Sequence, residues 1–473
     1  MKNQSILVLV IIAIVLAALP ASAEVLYNIT DLGTVGGQIS WATAINNKGQ
    51  IVGCAEDASG RLRATLFDPT GNGHNTDLGT LSGGGSMALS INNTGQIVGH
   101  AFVARTDYHA VLFDSTGGGQ NIDLGTLGGN RSNASSINNN DQIVGSSDPA
   151  SGKRHATLFD LTGQGNNINL GTLGGDESFA SSINDKGQIV GSSAIGYYRH
   201  VHATLFDPTG DGNNIDLGTL YGYFDSGAKA INNSGQIVGA VWQDPFVQWT
   251  FRAVLFDPTG FGGNIDLGTL GGSGSAAYSI NNNGQIVGWA CRCVGGVCGP
   301  HAALFDTTGQ GNNIDLNDLI DPNLGWELNS AECINNNGWI VGDGKNQDGY
   351  SHAFLLKPVL PPIEAKIDIM PNTLNLQSVG KWINCHIWLP EDYNAAEIDP
   401  YSVFIEFPED EIQAEWIWFN EQTQVVMAKF SRSEVQEMLE PGEVELTVSG
   451  ELTDGTRFEG TDTIKVIDKG RKK

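Results

Sequence analysis

The stretch Ser132-Asn133-Ala134-Ser135-Ser136-Ile137-Asn138-Asn139-Asn140-Asp141-Gln142-Ile143-Val144-Gly145 decides the fold, because the chain repeats its pattern seven times. An Ile-Asn-Asn or Ile-Asn-Asp triplet, a turn and an Ile-Val-Gly run recur from Ile45, Ile91, Ile137, Ile183, Ile231, Ile280 and Ile334, in steps of 46, 46, 46, 48, 49 and 54 residues. An Ala stands three places before the Ile in every copy: Ala42, Ala88, Ala134, Ala180, Ala228, Ala277 and Ala331. Small side chains suit an innermost strand, where sheets converge and space is tightest. The Asn-Asn-x-Gly turn supplies left-handed backbone positions at little steric cost. Gln-Ile-Val-Gly is rich in the β-branched residues that strands favour.

Outward from this hairpin, an Ala-x-Leu-Phe-Asp run begins at Ala64, Ala110, Ala156, Ala203, Ala253 and Ala302, and closes as Ala353-Phe354-Leu355. A turn such as Pro208-Thr209-Gly210-Asp211-Gly212 leads to Asn-Ile-Asp-Leu-Gly. Its Asp-Leu-Gly stands at Asp31, Asp77, Asp123, Asp216 and Asp266, with variants at Asn169 and Asp315. Four strands, a to d, in a period in the forties predict an all-β, seven-bladed β-propeller. The coils of a parallel β-solenoid, the rival for a Gly- and Asn-rich repeat, are about half as long. The seventh copy has strands a, b and c but no d, whereas residues 27–33 are a strand d with no sheet before them. Residues 27–33 are therefore expected to pair antiparallel with the strand near His352 to Leu356. That pairing closes the ring and removes two exposed edges.

Residues 1–23 read as a signal peptide. Lys2 gives the positive start, Ile6 to Leu19 is an unbroken apolar run of 14 residues, and Ala21-Ser22-Ala23 follows Pro20 as a cleavage pattern. The run falls short of the roughly 20 residues that a spanning anchor needs, so export of a soluble mature chain is expected. With Gly at 62 of 473 residues, 40% apolar and 16% charged residues, the composition suits short strands and tight turns rather than disorder. A net charge of −27 excludes the basic footprint of a nucleic-acid binder and disfavours anionic membranes. From Ile363 onward there are 22 Asp and Glu against 10 Lys and Arg, an acidity read as solubility.

Residues 27–356 resemble the extracellular HAF repeat family, whose name echoes a His-Ala-Phe core. His352-Ala353-Phe354 matches it literally, while the other copies read Ala-Thr-Leu, Ala-Val-Leu or Ala-Ala-Leu. The resemblance implies secretion and a propeller-like architecture in archaeal and bacterial surface proteins, and no particular activity. The repeats occupy 24–357, and Pro358, Pro361 and Pro362 make 358–362 a stiff linker. In 363–468, seven runs read as strands: 366–369, 382–389, 403–407, 414–418, 425–430, 444–448 and 463–467. They suggest an Ig-like sandwich. Ser431-Arg432-Ser433-Glu434 is a capping box expected to open a short helix through Leu439. Ile367-Asp368-Ile369-x-Pro371-Asn372-Thr373-Leu374 is similar to an accessory β-domain at the ends of prokaryotic surface proteins, which implies attachment or spacing. Residues 469–473 are a basic tail.

The sequence contains no Gly-x-Ser-x-Gly, no His-Glu-x-x-His and no phosphate loop. His109, His155, His202, His301 and His352 precede the Ala of strand c and invite a metal reading. Arg63 and Arg252 share the slot, and a cation cannot ligate a metal, so hydrogen bonding to the sheet backbone is expected. Asp207, Asp211 and Asn213 offer oxygens to calcium, but the spacing is not that of an EF-hand and Asx turns explain them without an ion. Of Cys291, Cys293 and Cys298, two are expected to pair. Structural zinc would need a fourth ligand that the trio lacks. Cys54, Cys333 and Cys385 lie far apart in sequence. Sequons stand at Asn28, Asn92, Asn130, Asn133 and Asn232, and Asn92 and Asn232 belong to the repeated turn itself.

Two function classes remain: a non-catalytic binding or structural module for extracellular protein or polysaccharide, and a glycoside hydrolase or lyase that uses the propeller axis. An enzyme should break the repeat with polar residues at the axis, yet strand a stays rich in Ala and Ser. Only Lys229, Tyr278 and Glu332 are sizeable at its variable position. Binding is the favoured reading, without a cofactor. Aromatic residues in the most variable loops are the candidate ligand contacts: Tyr197, Tyr198, Tyr221, Tyr223, Phe224, Trp242, Phe246 and Trp249.

Overall fold

Every copy of the repeat forms the same four-stranded antiparallel sheet, and the third copy shows why. Strands a to d are Gly128–Ile137, Ile143–Pro149, His155–Phe159 and Ile168–Asn169. At the a–b turn the Asn138 carboxamide oxygen accepts from the backbone N–H of Asn140 at 3.0 Å and of Gln142 at 2.9 Å. Asp141 takes φ 63° at the corner, where the other six copies place glycine. Strand a carries a bulge between Ala134 and Ser136, which thrusts the Asn133 carbonyl toward strand b. A Cβ on Gly145 would collide with that oxygen, as one on Gly53 would with the Trp41 carbonyl. The glycine that ends each Ile-Val-Gly is thus the counterpart of the bulge. Strand d has two residues in most copies. Its Asp or Asn turns back to accept from the N–H of the Gly two places on, as Asp123 does from Gly125 at 2.8 Å. The Leu between them stays buried and donates to the Ala of strand c, Leu124 to Ala110 at 2.9 Å.

The computed structural model describes residues 26–82, 84–196, 200–243, 250–359, 361–408, 410–453 and 456–469. They belong to two units, Met1–Pro358 and Val359–Lys473. The first unit holds seven sheets. Six take their strands from one copy each; the seventh orders Tyr27–Asp31 beside Ser351–Pro358, Ile340–Lys345 and Glu327–Ile334. The expected pairing of residues 27–31 with the strand around His352 to Leu356 is present, from Tyr27 opposite Pro358 to Asp31 opposite Phe354.

Each sheet packs on the next through its own buried cluster. Between the second and third copies lie Val98, Ala110, Leu124, Ala134, Ile137, Ile143 and Phe159. The seventh sheet meets the first in the same way, through Leu32, Ala42, Ile45, Ile51, Ala55 and Phe67 with Val341, Ala353 and Leu355. Full burial of one such aliphatic side chain is worth about 1.5–3 kcal/mol. The Ala three places before each Ile is at most 2% exposed in all seven copies, as its small size foretold. In the first six copies the Ser two places before it supports the neighbouring strand c: Ser132 Oγ accepts from the Ala110 N–H at 2.8 Å, and Ser40 does so from Ala353 at 3.0 Å.

In the second unit a four-stranded sheet (Lys366–Met370, Trp382–Trp388, Val425–Ser431, Trp416–Asn420) shares one core with a second sheet. The second sheet orders Ile363–Glu364, Arg457–Ile467, Gly442–Glu451, Phe404–Phe407 and Asp410–Gln413, with Thr373–Asn375 parallel to Arg457–Ile467. The last strand starts six residues before its expected start, at Arg457, because Phe458 and Gly460 continue its inward alternation. The helix spans Arg432–Glu437, and the capping box does not form. Ser431 ends a strand, and its hydroxyl pairs with Ser433 Oγ at 3.2 Å instead of accepting from the helix.

Candidate functional site

The seven a–b turns meet around one depression of about 180 Å³, lined by the Ile-Asn-Asn or Ile-Asn-Asp triplet of every copy. Two hydrogen-bond circuits run round it. In one, the first Asn of each triplet donates from Nδ2 to the carbonyl of its equivalent in the next copy: Asn46 to Asn92 at 2.9 Å, and onward until Asn335 returns to Asn46 at 3.0 Å. In the other, each second residue donates its backbone N–H to the next side-chain oxygen, as Asn47 does to Asn93 and Asn336 to Asn47, both at 2.9 Å. Asp185 replaces Asn in the fourth copy and accepts from both neighbours, Asn139 and Asn233. Both circuits are structural: they bind the sheets to one another. Asn92 and Asn232, two of the five sequons, are buried in the first circuit.

The His slot of strand c makes the expected backbone bond where Arg63 donates to the Gly84 carbonyl at 3.1 Å and where His352 meets the Gln38 backbone, and its members also meet the Asp or Asn of strand d, in most copies 14 residues later. His109 lies 2.8 Å from Asp123, His202 2.8 Å from Asp216 and His301 2.6 Å from Asp315. His155 meets Asn169 at 3.0 Å, and Arg63 approaches Asp77 to 3.8 Å. His352 reaches across the chain ends to Asp31 at 2.8 Å. In five copies the imidazole thus straps strand c to strand d. The Asp at the end of each strand c is likewise engaged: Asp207 accepts from the Thr209 N–H and hydroxyl and from Asn213. Those bonds, the Thr209 hydroxyl first, hold its carboxyl below the ordinary range.

Cys293 pairs with Cys298, directly across the b–c hairpin of the sixth copy, while Cys291 keeps a free thiol. Among the aromatic candidates, Tyr197, Tyr198, Phe246 and Trp249 lie outside the described residues. Tyr221 is 105% exposed and Phe224 55%, on the crossing from the fourth to the fifth copy. Tyr223 packs on the buried cluster between those copies. Phe224 stacks on His200 at 5.8 Å, and His200 lies 3.3 Å from Asp225. Trp242 is half-buried and contacts Phe251 at 6.1 Å, which contacts Trp289 at 6.4 Å. The Trp289 indole N–H donates to the Tyr278 hydroxyl at 2.9 Å.

Tyr278 leads to the one place where the repeat is broken in concert. The strand-a position two before the Ile holds Thr43, Leu89, Ser135 and Ser181 in the first four copies, then Lys229, Tyr278 and Glu332. The three exceptions come from consecutive copies and interact. Asp343, which follows the Ile-Val-Gly of the seventh copy, joins them. Burial pushes the Glu332 carboxyl up and repulsion from Asp343 adds to it, against a 2.6 Å bond from the Ser330 hydroxyl and the attraction of Lys229. Burial raises Asp343 as well, opposed by Asn329. Lys229 keeps water contact, yet crowding by protein lowers its ammonium, which Glu332 partly restores. Burial, with the Glu332 charge, pushes the Tyr278 phenol up to about 12. The set brings an amine, a phenol and two carboxyls within electrostatic reach of one another, and its raised carboxyls are suited to proton exchange. Sequence reading found three members but not their convergence. Asp343 was missed, although it stands in a column that elsewhere holds Cys54, His100, Ser146, Ser192, Ala240 and Trp289.

No protein-family model matches the chain, and no curated protein matches it. Among solved structures it is similar to the extracellular domain of a putative one-component system from B. thetaiotaomicron, at 10% identity and a TM-score of 0.42. That match covers 94% of this chain, which spans 59% of that domain's length. It is also similar to a gluconolactonase from Xanthomonas campestris, at 13% identity, a TM-score of 0.34 and 72% and 98% coverage of the two chains. A third likeness is to the full extracellular region of plexin A4, at 7% identity, a TM-score of 0.34 and 93% and 62% coverage.

Proposed function

We propose that the chain is an exported binding module: a seven-bladed β-propeller closed by its N-terminal strand, followed by an Ig-like sandwich. On this reading it holds an extracellular polysaccharide or protein at the sector formed by its fifth to seventh blades. The carrying observation is that the exceptions to the repeat converge in that sector. Lys229, Tyr278, Glu332 and Asp343 interact at the axis, and Trp242, Phe251 and Trp289 connect in a series that ends on Tyr278. The remaining copies keep small or apolar residues at the same position. Export is supported by the apolar leader and by the Cys293–Cys298 disulfide, which persists in oxidising compartments. Among the described residues no helix is long and apolar enough to cross a membrane.

The test is an array of immobilised extracellular polysaccharides and proteins probed with the full chain. Retention by the wild type and its loss in the triple variant Lys229→Ser, Tyr278→Ser, Glu332→Ser are expected. Equal retention of both would remove the axial sector from the reading. One observation favours a second reading, a glycoside hydrolase or polysaccharide lyase: two carboxyls raised by burial stand together beside a phenol and an amine. Release of soluble oligosaccharide by the wild type, abolished by Glu332→Gln, would establish it in place of simple binding.

A further inference from the structure

The second unit displays a motif of its own. Trp382-Ile383-Asn384-Cys385-His386-Ile387-Trp388 alternates strictly, with Ile383, Cys385 and Ile387 fully buried and the other four facing out. The neighbouring strands alternate in phase with it. Outward residues therefore align in ranks across the sheet: Met370, Asn384, Lys429 and Trp416 in one, and Asp368, His386, Met427 and Trp418 in the next. Lys366 stands opposite Trp388 beyond them. Four of the chain's ten tryptophans thus share one face of one sheet, where strand spacing makes a platform roughly 14 by 20 Å. Trp416 and Trp418 are 45% and 46% exposed.

Charge separates this face from the rest of its unit. Acidic residues outnumber basic ones 22 to 10 from Ile363 onward, yet three of those ten cations stand here, each over a ring: Lys381 on Trp382 at 4.4 Å, Lys429 on Trp416 at 4.6 Å and Lys366 on Trp388 at 5.2 Å. The carboxylate of the ranks, Asp368, lies 3.8 Å from His386. Folding thus spends three ammonium groups on a flat aromatic surface in an otherwise acidic unit. Flat rings take the apolar faces of sugar rings, and ammonium groups among them take carboxylate or sulfate.

We propose that this tryptophan-lysine face is a docking platform for an acidic polysaccharide, a chain of uronate or sulfated sugars. It is separate from the axial site of the first unit and stands on independent observations. The test is electrophoresis of the full chain through gels containing polygalacturonate or, in parallel, neutral dextran. Polygalacturonate should retard the wild type and dextran should not, and the retardation should fade as salt rises. Trp416→Ala with Trp418→Ala should weaken binding about ten-fold or more, because exposed aromatic anchors dominate such interfaces. Lys366→Gln with Lys429→Gln should remove the salt dependence. These side chains are outside the core, and unchanged melting curves will show that each variant is folded. The axial triple variant should bind polygalacturonate like the wild type. Equal retardation by dextran, no retardation at all, or loss in the axial variant with retention in the tryptophan variant would each overturn the proposal; the last would move the binding to the first unit.

Discussion

The first four copies of the repeat and the last three are built alike and used differently. Copies one to four begin at regular steps of 46 residues and hold Thr43, Leu89, Ser135 and Ser181 at the strand-a position two before the Ile. Copies five to seven begin at steps of 48, 49 and 54 and hold Lys229, Tyr278 and Glu332 there. Both halves keep the bulge, the glycine opposite it, the buried Ala and the Asn circuits. The difference teaches where a ring of this kind can vary. Columns whose side chains serve the neighbouring sheet are held constant, because a change there costs an interface. The column two places before the Ile bonds the next sheet through Thr43 in the first copy but is not held to one residue type, so it can take a Lys or a Glu at a cost that is mainly desolvation.

The sharpest way to break that division is to exchange the consequences. Leu124 is fully buried between the second and third copies. Leu124→Ala should cost about 2–5 kcal/mol, the usual range for a core cavity, and lower the melting temperature without changing ligand retention. Leu32 has the same place in the interface between the seventh and first copies, where the linking strand Tyr27–Asp31 is held to the rest of its sheet only by its pairing with Ser351–Pro358. Leu32→Ala should cost a similar amount, measured by thermal unfolding followed by circular dichroism. A cost at Leu32 well below that at Leu124 would mean that the closing interface contributes less than the internal ones.

The axial triple variant is the converse. Lys229→Ser, Tyr278→Ser and Glu332→Ser install residues that Ser135 and Ser181 already place in the same column. Removing the cation and the carboxylate together leaves neither charge without its partner, and the half-buried Trp289 N–H released by Tyr278 can bond water, so stability should move by less than about 1 kcal/mol. Ligand retention should nevertheless be lost. A melting temperature that falls as far as with Leu124→Ala would show that the exceptions stabilise the ring, and the division would fail.

The phase of the repeat, and with it the closing pair of strands, was legible in the sequence because Asp31 and His352 stand in columns that recur. The partner of the His slot was legible in principle, since both columns keep a 14-residue spacing, but hydrogen-bonding chemistry alone did not choose between side chain and backbone. Ser431-x-x-Glu434 misled because a capping box assumes a free N-terminus, whereas Ser431 is the last residue of a strand. The axial cluster was half legible. Its members stood out by size, but no spacing rule says that the fifth, sixth and seventh copies bring them to one point. The tryptophan face was written plainly, as outward alternation in 382–388 and 416–418, and was overlooked because the period was read only for the core it predicts.

The smallest effect tests the seam by pH. His352 and Asp31 form the strap that ties chain start to chain end, and both are partly open to water. The hydrogen bond to the Asp31 carboxylate, together with its charge, raises the His352 imidazole above its ordinary value. Burial alone would raise Asp31, but bonds from His352, the Gly33 N–H and Asn346 outweigh it and hold the carboxyl low. The raised imidazole contributes fully below about pH 6.5, and its contribution is lost as the pH climbs through the folded value. The depressed carboxyl contributes above about pH 4, and its contribution is lost on acidification. The strap is therefore strongest between those limits and loosens toward pH 8, by about 1 kcal/mol or less for a pair this exposed. Amide hydrogen exchange over Tyr27–Asp31, corrected for the intrinsic rate, should show protection falling from pH 6 to pH 8. His352→Gln should flatten that fall. Protection that stays level in the wild type would mean that the backbone ladder opposite Phe354 to Pro358 holds the first strand without help from the imidazole charge.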